Sequence, residues 1–239
     1  MPAIVELCKS RGLYWIEDVA HAPGAEVGGR QCGTWGDIGC FSFFSNKNLS
    51  IGEGGMVCCL NEELHQRLRF IRSHGMTTLT IDRHKGRAIT YDVVTPGLNY
   101  RIDEIRAAIG LVQLGKLSHA NKRRGELTLR YRRNLEGSRL EIPFGDLQEG
   151  VVSAYHILPV LLPEDSNRIT AIELLKAKGI QSSIHYPPFW GFTAYAGQFS
   201  PSDAPVASEI CQRELTLPLF PTMTDDEVDL VTKALLESL

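Results

Sequence analysis

The chain has 239 residues, with 25 basic and 28 acidic side chains and a net charge of −3. This near-balance excludes a global electrostatic pull toward nucleic acid or an anionic membrane, and no apolar run reaches the length of a membrane-spanning helix. A hydrophobic content of 43% and a charged content of 22% are those of a globular protein with one large or two small domains.

Residues 2–9 form a short predicted helix, with Pro2 in its first turn and Gly12 as its stop. Residues 13–20 (LYWIEDVA) read as a strand ending in acid. Residues 38–44 are a short apolar run bounded by turn residues, a buried strand. The polar segment Ser45-Asn-Lys-Asn48 follows with its single lysine, then Gly52, Gly54 and Gly55, which allow positive φ and close approach of backbone to a ligand. Residues 56–60 are another strand, and Asn61 caps a helix over 62–72. Residues 77–95 read as an exposed polar excursion. Asp103 caps a helix over 104–117, whose continuation, 118–135, is basic. That basic stretch reads as solvated or dimer-facing, since no aromatic platform for nucleic acid accompanies it. The pattern then changes to strand (153–162), helix (169–178), strand (180–186), a loop with Trp190 and Tyr195, helix (204–214), a short strand and a final helix (225–239). This is an α+β layer, so the domain change is expected near residue 121, giving domains 1–121 and 122–239.

Six cysteines (Cys8, Cys32, Cys40, Cys58, Cys59, Cys211) show neither a C-x-x-C pair nor framework spacing. They read as buried reduced thiols of a cytoplasmic protein, with no metal site. Residues 1–12 do not read as a signal peptide.

The chemistry concentrates in two places. Asp18 and His21 follow one another over a strand-to-loop turn, at the strand end where open α/β sheets bind ligands. Lys47 lies at the end of the next strand. Taken singly, Asp18 reads equally as a capping residue and His21 as a packed one. Together with Lys47 they form an acid, an imidazole and an amine, which suits an aldehyde cofactor held as a Schiff base.

IEDVAHAPGA (16–25), FSFFSNKNLSIGEGG (41–55), RSHG (72–75), LNYRIDEIRAAIGLVQL (98–114), IHYPP (184–188) and LTLPLFPTMTDDEVDLV (215–231) together resemble the DegT/DnrJ/EryC1/StrS family. These are pyridoxal-phosphate-dependent aminotransferases of nucleotide-linked keto-sugars. The resemblance implies an α/β fold: part of a type I large domain, with a mixed, mostly parallel sheet flanked by helices, followed by a smaller α+β domain. It implies pyridoxal 5'-phosphate as cofactor, bound as an internal aldimine on Lys47, with an amino acid such as glutamate as donor. Asp18 would pair with the pyridine nitrogen, His21 with the phenolic oxygen, and Ser42 with the phosphate. Asn99 would reach the partner's phosphate across a homodimer interface. His185 would line the substrate side, though a hydrogen-bonded core histidine is an equal reading, and Arg101 is expected to be structural. Family members begin with a large portion that has no counterpart here, so the chain is expected to be N-terminally truncated relative to them, as a fragment, a misassigned start or a genuinely short protein. Two alternatives remain: a non-catalytic remnant acting as a regulatory or interaction module, and a sugar dehydratase, against which Lys47 itself counts because such relatives carry histidine there.

Overall fold

The computed structural model describes residues 1–77, 86 and 90–239, so most of the predicted excursion over 77–95 lies outside the described residues. The chain divides into two compact units, Met1–Ser118 with Gly150–Ala154, and His119–Glu149 with Tyr155–Leu239.

In the first unit, α1 (Pro2–Ser10) leads into β1 (Ile16–Asp18). A hairpin follows, β2 (Glu26–Val27) and β3 (Arg30–Gln31), turned by Gly28 and Gly29 at φ of 57° and 75°. The Val-Gly-Gly-Arg signal for this two-residue turn is in the sequence and was not expected as a hairpin. β4 (Ile38–Ser42) pairs parallel with β1 and antiparallel with β5 (Gly55–Cys58), giving a mixed three-stranded sheet in the order β1-β4-β5. α2 (Glu62–Arg72) is capped by the Asn61 side chain, which accepts from the Leu64 amide. The helix α3 (Glu104–Leu135) runs as one element through both predicted helical segments. β6 (Val151–Val152) joins β2 and returns the chain to this unit.

In the second unit, β7 (Leu158–Leu161) and β8 (Glu214–Leu217) form an antiparallel pair. The predicted strand over 153–162 is split, because Tyr155 takes a left-handed conformation (φ 47°). α4 (Arg168–Ala177), α5 (Pro205–Arg213) and α6 (Asp225–Leu236) complete it. Leu127, Tyr131, Val160, Leu175, Leu215 and Val228 are all fully buried in one continuous core. The apolar period of the helix over 119–135 therefore faces β7, β8 and α6.

The basic stretch of α3 is solvated only in part: Lys122 and Arg133 are exposed, and four arginines are bound within the chain. Arg123 bonds Asp225 and the Met223 carbonyl, Arg124 bonds the Leu219 carbonyl, and Arg132 bonds the Pro143 carbonyl. Arg130 makes a two-pronged pair with Asp229, at 2.8 and 2.6 Å. These arginines fasten residues 119–135 of the helix to the second unit. Among the described residues no helix is long and apolar enough to cross a membrane.

Candidate active site

The two faces of the β1-β4-β5 sheet differ. Register partners in a sheet point the same way and successive residues alternate. Asp18 pairs with Cys40, so Asp18, Cys40 and Ser42 share one face, together with Ile16 and Val57. That face is open: Asp18 is exposed, and Ile16 and Val57 are 62% and 49% exposed. Burial, and then the Asp18 carboxylate, push the Cys40 thiol upward.

The opposite face is covered over β1 and β4. Glu17, 5% exposed, accepts the Gly33 amide at 2.8 Å, the Trp35 amide at 2.6 Å and the Gly36 amide at 2.7 Å. A buried carboxylate needs such donors to remain charged. Gly33 (φ +89°) leaves the space where a Cβ would sit 2.4 Å from Cζ of Phe41. Glu17 therefore clamps the loop over one face, and Asp18, its neighbour, must point to the other. Sequence reasoning passed over Glu17; the signal was two consecutive acids in an apolar strand, of which only one can reach solvent.

At the end of β1 the Asp18 Oδ1 accepts the Ala20 amide at 3.0 Å, so Asp18 caps the turn that carries His21 while remaining exposed. His21 is exposed on that turn. Ser42 is half-buried at the end of β4, its Oγ 3.4 Å from the Phe44 amide.

Lys47 sits on the loop that follows Ser42, and this loop is closed on itself. The Ile51 amide donates to the Phe43 carbonyl at 3.0 Å, and the Phe43 amide donates to the Gly54 carbonyl at 2.9 Å. Phe43, Leu49, Ile51 and Leu117 form a small buried cluster beneath it. The Asn48 side chain donates to the Ala154 carbonyl at 2.7 Å. Lys47 itself is half-buried and makes no ion pair among the described residues. The glycines that follow serve the fold first: a Cβ at Gly55 would lie 2.8 Å from the Phe41 carbonyl oxygen across the strand pair.

Asn99 is exposed, tied to the end of α2 through a bridge with Ser73, and its Oδ1 accepts from Arg101 at 3.3 Å. Asp18, His21, Ser42, Lys47 and Asn99 all belong to the first unit, and His185 belongs to the second. The predicted strand over 180–186 is a single bridge, Ser183 with Thr216. The ladder stops there because the His185 amide turns to the Glu214 carboxylate, at 2.9 Å, in place of a backbone carbonyl. All six cysteines are free and half-buried, less deeply sunk than expected, since those on β4 and β5 border the open sheet. No group of three or more His, Cys, Asp or Glu among the described residues could hold a metal ion.

The open face thus offers an exposed carboxylate and a hydroxyl, with an unpaired amine on the adjoining anchored loop. A carboxylate for a ring N–H, a hydroxyl for a phosphate and an amine for an aldehyde are the donor set that fits pyridoxal phosphate.

Residues 1–236 match the DegT/DnrJ/EryC1/StrS aminotransferase family. The chain belongs to this family. An uncharacterized protein of Methanocaldococcus jannaschii is 37% identical over 237 residues, covering 95% of this chain and 60% of the relative. The spore coat polysaccharide biosynthesis protein SpsC of Bacillus subtilis is 34% identical, covering 98% and 62%. Among solved structures, the PLP-form of Spr1654 from Streptococcus pneumoniae superposes with a TM-score of 0.85 at 29% identity, covering 97% of this chain and 59% of that one. This member of the DegT/DnrJ/EryC1/StrS family therefore spans about 60% of the length of the relatives it matches, and its mixed α/β fold is that of the family's solved aminotransferases.

Proposed function

We propose that the protein is a pyridoxal-phosphate-dependent aminotransferase that moves an amino group from an amino acid, with glutamate as donor, to a nucleotide-linked keto-sugar. The observation that carries this reading is Lys47: a half-buried amine without an ion pair, on a closed and anchored loop directly after the strand bearing Ser42. Membership of the family and the polysaccharide role named for SpsC support the sugar substrate.

When bound, pyridoxal phosphate supplies an aldehyde carbon for covalent attachment and a ring that withdraws electrons. Lys47 Nζ would hold the cofactor through its aldehyde carbon and, when free, would serve as the positioned general base that moves a proton. Asp18 would accept the ring N–H and favour the protonated nitrogen through its charge. Ser42 donates to a phosphate oxygen, and His21 bonds the phenolic oxygen. Asn99 reaches the phosphate of the second copy in a homodimer with shared sites, and His185 contacts the sugar substrate. The free thiols suit a cytoplasmic protein.

The test is chemical. Pyridoxal phosphate is added to the purified chain, borohydride fixes any adduct, and the modified lysine is mapped by mass spectrometry. Label confined to Lys47, and lost in Lys47→Ala, is expected. Label spread over surface lysines, or none, returns the non-catalytic reading.

A further inference from the structure

We infer that Glu214 and Thr216 hold His185 in its Nδ1–H tautomer, so that Nε2 is presented as an acceptor for a hydroxyl group of the substrate. Glu214 and Thr216 open β8 on the same face, since residues two apart along a strand point the same way. Both are nearly fully buried, at 4% exposure each. The Thr216 hydroxyl donates to Glu214 Oε1, the His185 amide donates to Glu214 Oε2 at 2.9 Å, and His185 Nδ1 lies 2.8 Å from Thr216 Oγ1.

Proton counting settles the direction of the chain. A carboxylate can only accept, and Glu214 receives two donors. A hydroxyl has one proton, and Thr216 gives it to Glu214. The Thr216 oxygen can then only accept from His185, so the proton of the neutral ring sits on Nδ1. Which ring nitrogen carries the proton is set by the bond the other end makes; here the bond is made at Nδ1 and leaves Nε2 with its lone pair. Nε2 has no partner among the described residues, and the ring is half-buried, with its other contact an edge-on approach to Tyr186 at 4.8 Å between ring centres. A neutral acceptor of fixed orientation suits an O–H donor and rejects a carbonyl oxygen or a phosphate at that point. The sugar substrate carries hydroxyls around its ring, so the histidine would discriminate the orientation of one of them. Glu214 and Thr216 are positioning residues, acting through His185. The hydroxyl role rests on the aminotransferase reading above; the tautomer does not.

The experiment is nitrogen NMR of the full chain labelled in histidine, at about pH 8, above the ordinary histidine range. His185 is assigned by the loss of its signals in His185→Gln. The expected result is protonated-type Nδ1 and unprotonated-type Nε2, reversed toward the solution preference in Thr216→Val and retained in Thr216→Ser. If Thr216→Val does not fold, Glu214→Gln replaces it, because an amide that can donate to Thr216 frees the hydroxyl proton for Nδ1 and produces the same reversal. An Nε2–H ring in the native chain, or a tautomer indifferent to these changes, overturns the inference. Uridine diphosphate glucose, thymidine diphosphate glucose and guanosine diphosphate mannose are then titrated in. Movement of the Nε2 resonance supports the hydroxyl acceptor. No movement with any of them, while borohydride still fixes the cofactor on Lys47, overturns that role and leaves the aminotransferase reading standing. Failure of the Lys47 label with the tautomer intact overturns the aminotransferase reading and the hydroxyl role with it, and leaves the tautomer standing.

Discussion

Replacing Glu17 by glutamine would test whether one buried carboxylate organises the strand that bears Asp18. Oε1 accepts the amides of Trp35 and Gly36, and Oε2 accepts that of Gly33. An amide side chain has one acceptor oxygen, which can keep the first two, and turns an NH2 group toward the third. One charge-assisted bond is lost, about 1.5–3 kcal/mol, and a buried donor is left facing a donor, about 1–3 kcal/mol more. The two surviving bonds fall to the strength of neutral ones. The sum is about 3–6 kcal/mol in the free energy of opening this loop. Because opening is local, global unfolding is the wrong observable, and native-state hydrogen exchange of the Gly33, Trp35 and Gly36 amides is the right one. At about 1.4 kcal/mol per tenfold, protection of the three should fall together by at least a hundredfold in Glu17→Gln. A fall of less than tenfold, or loss at Gly33 alone, would refute the claim that the carboxylate clamps the loop as a unit.

Two further outcomes follow from the same geometry. Gly33→Ala puts a methyl group 2.4 Å from Phe41 Cζ and 3.1 Å from Val19 Cγ2, at a φ of +89°; overpacking and left-handed strain together should lower stability by about 2–4 kcal/mol in urea titrations, and a loss within 0.5 kcal/mol would show that the ring is free to move aside. In the second unit, hydrogen bonds from Arg130 and then Asn134 hold the Asp229 carboxyl down to about 2, from the ordinary 3.8. The folded value lies below the unfolded one, so this pairing stabilises the protein above about pH 4 and is lost as pH falls toward 2. The denaturation midpoint of Asp229→Asn should therefore lie below that of the native chain at pH 6, with the gap closing at low pH; a gap independent of pH would mean that shape, and not charge, ties α3 to α6.

The candidate site was legible in the sequence because its residues lie in local order. A strand, a polar loop with one lysine and a run of glycines are neighbours in the chain, and their identities do not depend on what packs beside them. Asp18 at a strand end and Lys47 in a loop follow from patterning alone, whereas residues 119–135 read as solvated or dimer-facing and form a core helix through their packing in the second unit. The partners of buried polar groups were not legible, because they are set by pairing across long separations. That Glu17 faces inward and Asp18 outward depends on the Gly33–Gly36 loop closing over one side of the sheet. That the arginines of α3 bind their own unit depends on α6, about a hundred residues later. The segment over 180–186 carried a strand's composition, yet only tertiary structure decided that a buried glutamate from β8 would take the His185 amide out of the ladder. Apolar periodicity reports which side of an element is buried; it does not report which donor meets which acceptor once it is, and in this protein that second matter decides the orientation of both Asp18 and His185.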